Sequence, residues 1–244
     1  MLRISVVQLV RSPTHARRRT AAHRLGRHAL LLVGIGGALV AVLVISIDAT
    51  EITLMPPRGT PALWPVRILT DFGKDSYVLC ALLAVLALIV LAAPLLHDAA
   101  RARLLRFGTG VQYLFLAVAF SNLLAEVLKY VVGRGRPFVG GKVNVFNFAP
   151  FAGTEAHFSF PSAHAVTAFA LAFAVGAIWP RARIIMFAYA LLICATRLVL
   201  VAHHPSDVAA GAVVGIFGAM IVRYWFAARR LGFAIRGNGE IVPL

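Results

Sequence analysis

Six stretches of this chain are apolar over the length a helix needs to cross a bilayer, and that pattern limits the fold more than any other feature. At 1.5 Å per residue, about 20 residues cross a hydrocarbon core about 30 Å thick. Residues 29–47 are nineteen uncharged residues, 76–96 are uncharged, and 107–125 are uncharged and continue past Glu126 and Lys129 to about Val132. Three further runs cover 160–179, 184–202 with Arg197 as interruption, and 207 to about 228. In lipid each backbone N–H and C=O must be satisfied within the chain, so each run is expected to be a helix. The expected architecture is therefore all-α: a polytopic six-helix bundle over 29–228, with a basic tail at 1–28 and a short tail at 229–244.

Composition supports the membrane reading. Only 14% of residues are charged, against about 25% in soluble domains. The formal charge of +15 would suggest nucleic acid in a polar protein, but here the basic residues lie between apolar runs. No nucleic-acid partner is expected. Cys80 and Cys194, the two cysteines, sit inside apolar runs, which excludes a disulfide scaffold and makes them small packing residues. The basic region ahead of residue 29 is long for a signal peptide and no small-residue cleavage site follows, so the first helix reads as retained. No internal repeat or low-complexity tract is visible.

Six spans put both termini on one side. The tails and loops on that side hold sixteen of the 24 basic residues, from Arg3 to Arg236. The other eight, Arg58, Arg67, Lys74, Lys129, Arg134, Arg136, Lys142 and Arg197, lie on or near the opposite side. By the positive-inside rule both termini are expected in the cytoplasm. Cations kept on the disfavoured outer side suggest a use for them. Of the two long outer segments, 49–75 is proline-rich, and 63–72 fits either a short amphipathic piece along the interface or a simple tethered connector. Residues 133–160, rich in Gly and Phe, read as a loop.

Three polar groups fall at the outer helix ends. Lys129 is followed after six residues by Arg136 and Pro137, so an ammonium and a forked guanidinium can meet one phosphate. Glu126, three residues before Lys129, reads as an ion-pair partner. Pro161, Ser162, Ala163 and His164 open the fourth helix, where first-turn N–H groups and a hydroxyl make an anion site. Arg197 is followed after five residues by His203 and after three more by Asp207. Arg197 lies about 7.5 Å below the outer end of its helix, too deep to be idle in lipid. A carboxylate at Asp207 can accept a proton from the His203 ring and leave the other nitrogen free to attack. His204 is the rival nucleophile, read as a supporting or surface residue because only His203 has the four-residue separation from Asp207.

These residues resemble the three-part signature of the type 2 phosphatidic acid phosphatases, the membrane branch of a superfamily that includes vanadium haloperoxidases. The parts run Lys129 to Pro137, Pro161 to His164, and Thr196 to Asp207, with Ala163 in place of the motif's Gly and Thr196 in place of its Ser. The resemblance implies that His203 attacks phosphorus, that Asp207 orients it, and that His164 protonates the leaving oxygen and then activates water. It also implies that Lys129, Arg136, Ser162, the Ala163 N–H and Arg197 bind the phosphate. No metal or other cofactor is expected, since three fixed cations can supply the countercharge and no carboxylate cluster or zinc spacing is present.

The expected function is hydrolysis of a terminal phosphate of a lipid, with the site facing the periplasm from the inner membrane of a bacterium. The expected partners are the phosphorylated lipid and membrane lipids, with no obligatory protein partner. Lipid A phosphate, phosphatidylglycerol phosphate, phosphatidic acid and undecaprenyl diphosphate all fit, with a lean toward lipid A or a glycerophospholipid from family analogy. A lipid-to-lipid phosphotransferase on the same scaffold is the alternative. An anion transporter fits less well, because transporter sites lie near the midplane between repeats.

Overall fold

The computed structural model describes residues 9–140, 143–236 and 239–244, so Arg3 and Lys142 of the charge distribution lie outside the described residues. Among the described residues these α-helices follow one another: α1 His15–Ser46, α2 Asp48–Leu54, α3 Trp64–Asp71, α4 Asp75–Ala92, α5 Asp98–Val132, α6 Ala163–Ile178, α7 Arg183–Val199 and α8 Pro205–Ala228. Five helical segments among the described residues are long and apolar enough to cross a membrane. The sixth apolar helix, α6, has only 16 residues. Its start is set by Pro161 and by Ser162, which is extended at φ −69° and ψ 114°. Its end is set by Trp179 and Pro180.

Several boundaries differ from the apolar runs. Helix α1 begins at His15 and α5 at Asp98, well before the first uncharged residues, because the arginine-rich turns continue the helix beyond the apolar span. Helix α7 stops at Val199, where Val201 at φ 48° turns the chain. Of the two readings of 63–72, the structure has the helical one: α3 exposes Trp64 and Ile68 and buries Thr70, and Phe72, just after it, is exposed. Near the C-terminus Phe233–Ile235 and Ile241–Pro243 pair as antiparallel strands. Phe233 lies edge-on to Tyr113, with ring centroids 4.9 Å apart.

Helix α8 is the hub, packed by α1, α5 and α6. Small residues permit this approach. A Cβ at Gly211 or Gly215 would collide with the carbonyl oxygens of Ser162 and Val166 on α6. Ser121 of α5 donates to the Gly215 carbonyl at 3.1 Å. These contacts bring the first turn of α8, which carries Asp207, beside the first turn of α6, which carries His164.

Candidate active site

The site is built where α5 ends and α6 and α8 begin. Lys129 occupies the last turn of α5, and Gly133, left-handed at φ 57°, ends that helix and returns the chain. The return loop is held by backbone bonds from Gly135 to Asn147, from Ala149 to Gly133 and from Ser159 to Arg134. It sets Arg136 where its Nε donates to the Glu155 carbonyl at 2.9 Å and its Nη2 to the Glu155 carboxylate at 3.0 Å. Lys129 Nζ pairs with Glu126 at 2.5 Å, the partnership expected from their spacing.

Ser162 caps α6 from an extended conformation, and its buried hydroxyl has no hydrogen-bond partner among the described residues. Its N–H donates to the Asp207 carbonyl at 3.0 Å, which ties the start of α6 to the start of α8. Ala163 begins α6 without a positive φ, so an alanine where the signature has glycine costs no backbone strain. Arg197 is buried in the last turn of α7. Its Nη1 donates to Thr70 Oγ1 at 2.9 Å, while its Nε is buried without a partner. The Thr196 hydroxyl, which donates to the Ile193 carbonyl at 2.6 Å, is also hydrogen-bonded to the Thr70 hydroxyl at 2.9 Å. The outer segment 49–75 is therefore fastened to the site through Thr70 of α3, a contact that sequence reading did not anticipate.

His203 is buried in the turn between α7 and α8, and its Nδ1 lies 2.8 Å from the carbonyl oxygen of Ser159. A carbonyl only accepts, so Nδ1 carries the proton and Nε2 keeps the lone pair. Burial, followed by the charges of Arg197 and Arg136, holds the His203 pKa well below the usual imidazole value, against the opposing bond to Ser159. The resting ring is neutral. His164, at the mouth of α6, lies within electrostatic range of Arg197, Lys129, Lys74 and Arg136, and also of His203. The fold thus gathers Lys129, Arg136, Arg197, His164 and His203 around the N-terminal turn of α6, where Ser162 and Ala163 sit.

Asp207 requires a correction. Its Oδ2 accepts from Ser159 Oγ at 2.6 Å and from the His204 N–H at 2.9 Å, and its Oδ1 accepts from Arg134 Nη1 at 2.7 Å. The expected direct bond to the His203 ring is replaced by Ser159, whose carbonyl holds the ring and whose hydroxyl holds Asp207. The reason is the cap: at the third position of α8 the carboxylate folds back onto the His204 N–H, away from the ring. His204 is fully buried, so the surface reading of it is also corrected.

Sequence reading missed the group behind Asp207. Arg134, inside the Lys129 to Arg136 interval, is 1% exposed and bridges Asp207 to Asp48, which accepts from Arg134 Nη2 at 2.8 Å. Asp48, at the start of α2, also accepts from the Ser206 N–H at 2.9 Å and from Ser206 Oγ at 2.5 Å. One guanidinium thus serves two buried carboxylates and locks the first turn of α8 to α2. The available signal was an arginine within a turn and an aspartate ending an apolar run, each ordinary by itself. Among the described residues no group of three or more His, Cys, Asp or Glu is placed to hold a metal ion.

Residues 110–231, which contain every element of the three-part signature, match the model of the PAP2 superfamily. The chain belongs to the PAP2 superfamily. A lipid A 1-phosphatase of Rhizobium etli is 34% identical over 71% of this chain and 75% of its own length. A lipid A 1-phosphatase of Rhizobium johnstonii is 40% identical, with the match covering 52% of each chain, so this PAP2 protein spans about half the length of that relative. A lipid A 4'-phosphatase of Bacteroides thetaiotaomicron is 31% identical over 52% of this chain and 57% of its own. Among solved structures, a transmembrane PAP2-type phosphatidylglycerolphosphate phosphatase from Bacillus subtilis overlaps with a TM-score of 0.45 and 20% identity. That overlap covers 82% of this chain and 92% of the other.

Proposed function

We propose that this PAP2 protein is a membrane lipid phosphatase that removes a terminal phosphate from a lipid A type head group, through a phosphohistidine and without a metal ion. The observation that carries the reading is His203: its Nδ1–H is committed to Ser159, its Nε2 is free, and Arg197 and Arg136 bear on it. A neutral imidazole among fixed cations is a nucleophile facing an anion site. The names of the Rhizobium relatives support lipid A 1-phosphate as the first substrate to test. By the positive-inside argument the site opens to the periplasm and both termini are cytoplasmic.

In this mechanism Lys129, Arg136 and Arg197, with the Ser162 hydroxyl and the Ala163 N–H, hold the phosphate oxygens. His203 Nε2 forms a bond to phosphorus as the bond to the lipid oxygen breaks, and His164, which takes up a proton once the phosphate anion offsets the surrounding cations, gives that proton to the leaving oxygen. Water then attacks phosphorus, His164 takes its proton, and inorganic phosphate leaves with His203 restored. Asp207 keeps His203 in place through Ser159.

The test is a panel of purified lipids offered to the protein in detergent with a chelator present, measuring released phosphate. Lipid A 1-phosphate is expected to turn over fastest, and His203→Ala to lose at least about a thousandfold in rate. Labelled phosphate found on a second lipid instead of in water would favour the phosphotransferase. Strict dependence on added Mg²⁺ would refute the mechanism.

A further inference from the structure

At the end of the bundle away from His203, α6, α7 and α8 leave a groove of about 420 Å³ between them. It exists because α6 presents small residues there, Ala172 and, one turn on, Gly176 and Ala177. The walls are Phe169 and Phe173 of α6, Phe187 of α7 and Ile216 of α8. From Phe169 to Ala177 is eight residues, about 12 Å along the helix. Half of a hydrocarbon core is about 15 Å, so the groove is about as deep as one leaflet.

The mouth of this groove, at the end of the bundle away from the active site, is cationic. Arg183, at the first position of α7, and Arg223, near the end of α8, both line it. Arg183 donates through Nε to the Gly176 carbonyl at 3.0 Å, which leaves the outer edge of its guanidinium turned from that bond. Arg223 donates through Nη2 to the Ile241 carbonyl at 2.7 Å, and its Nε is buried without a partner. The two guanidiniums are close enough to act on each other, and Glu240, the carboxylate in range of Arg223, is bonded to Arg236 at 3.3 Å. Two cations over an apolar slot one leaflet deep match an anionic head group above an acyl chain.

We propose that this groove is a binding site for one anionic phospholipid of the leaflet opposite the active site, with its phosphate on Arg183 and Arg223 and a chain along Phe169, Phe173, Phe187 and Ile216. The site is separate from the substrate site, because α6 and α7 place His164 and Arg197 at their other ends. Its occupant wedges the three helices whose far ends form the active site, so it is expected to stiffen that site as well.

The experiment uses the delipidated full chain in a neutral detergent. Unfolding temperature and native mass spectrometry are followed while phosphatidylglycerol, phosphatidylcholine of the same chains, or glycerol phosphate is added. Phosphatidylglycerol is expected to raise the unfolding temperature by about 5 °C at saturation and to be retained one per chain. Phosphatidylcholine should bind at least about tenfold more weakly, and glycerol phosphate should give no shift. Arg183→Gln, at an exposed position, is expected to lose about tenfold in apparent affinity for phosphatidylglycerol while its response to phosphatidylcholine is unchanged. Arg223→Gln should do the same. If it fails to fold for want of the Ile241 bond, Arg183→Gln decides alone. Equal shifts with both lipids, an unaltered response in Arg183→Gln, or a full shift with glycerol phosphate would each overturn the proposal.

Discussion

Replacing Arg134 by Met tests whether one guanidinium neutralises both Asp48 and Asp207. The side chains of all three are at most 2% exposed, and Arg134 meets the carboxylates at 2.8 and 2.7 Å. Removing the cation leaves two buried carboxylates uncompensated, and breaking one such buried pair costs about 3–5 kcal/mol. Asp48→Asn is milder. Arg134 keeps Asp207 and two bonds to the Val145 carbonyl, and the Asn oxygen can still accept from the Ser206 N–H, so about 1–2 kcal/mol is expected. The informative variant carries both changes. With the guanidinium gone, Asp48→Asn removes a buried charge instead of a partner, so the double variant should be more stable than Arg134→Met alone. Denaturant unfolding of the four proteins in one detergent at pH 7.5 gives the cycle, with an expected coupling of at least about 1.5 kcal/mol. Losses that add to within about 0.5 kcal/mol would show that Arg134 does not bridge the two acids.

Three further outcomes are expected. Replacing His164 by Asn should cripple phosphoenzyme formation from a lipid, whose alkoxide leaves poorly without a proton, yet spare it with p-nitrophenyl phosphate. Rapid mixing should then show a burst of nitrophenol near one equivalent, followed by slow phosphate release; equal damage to the burst with both substrates would mean that His164 does not transfer the proton. Glu51 in α2 is buried with both oxygens unpartnered, and burial, then the Asp48 charge, raises its pKa to about 7. Because the folded pKa exceeds the unfolded one, the protonated form costs nothing below about pH 4.5 and the ionised form costs most above 7. Glu51→Gln should therefore raise the unfolding temperature at pH 8 and leave it unchanged at pH 4.5; the same gain at both would exclude a charge effect. A cysteine at the exposed Val143, with Cys80 and Cys194 removed, should react with an impermeant thiol reagent in intact spheroplasts, whereas labelling only after lysis would reverse the topology.

Sequence by itself determined the solvent of this protein and the polar groups its candidate site can offer. Apolar runs of bilayer length allow only helices or closed barrels, and their length and lack of period-two alternation select helices. The spacing of Lys129 to Arg136, of Pro161 to His164 and of Arg197 to Asp207 could be read because each interval is local, set by the turn or two of chain that joins its members. Helix ends were less legible. Arginine-rich turns are compatible with helix outside the bilayer, so charge marked where the apolar span began and not where α1 and α5 began.

What only the tertiary structure decided were the bonds between distant segments. Asp48 and Arg134 are 86 residues apart, and His203 meets the Ser159 carbonyl across 44. Spacing suggested a direct bond from Asp207 to His203, but a carboxylate has several donors in reach, and the nearest N–H and a buried guanidinium took it. Local sequence states which groups are available. The choice among them is made by burial, since each buried charge must find its best partners at once, and that competition exists only when the helices have packed.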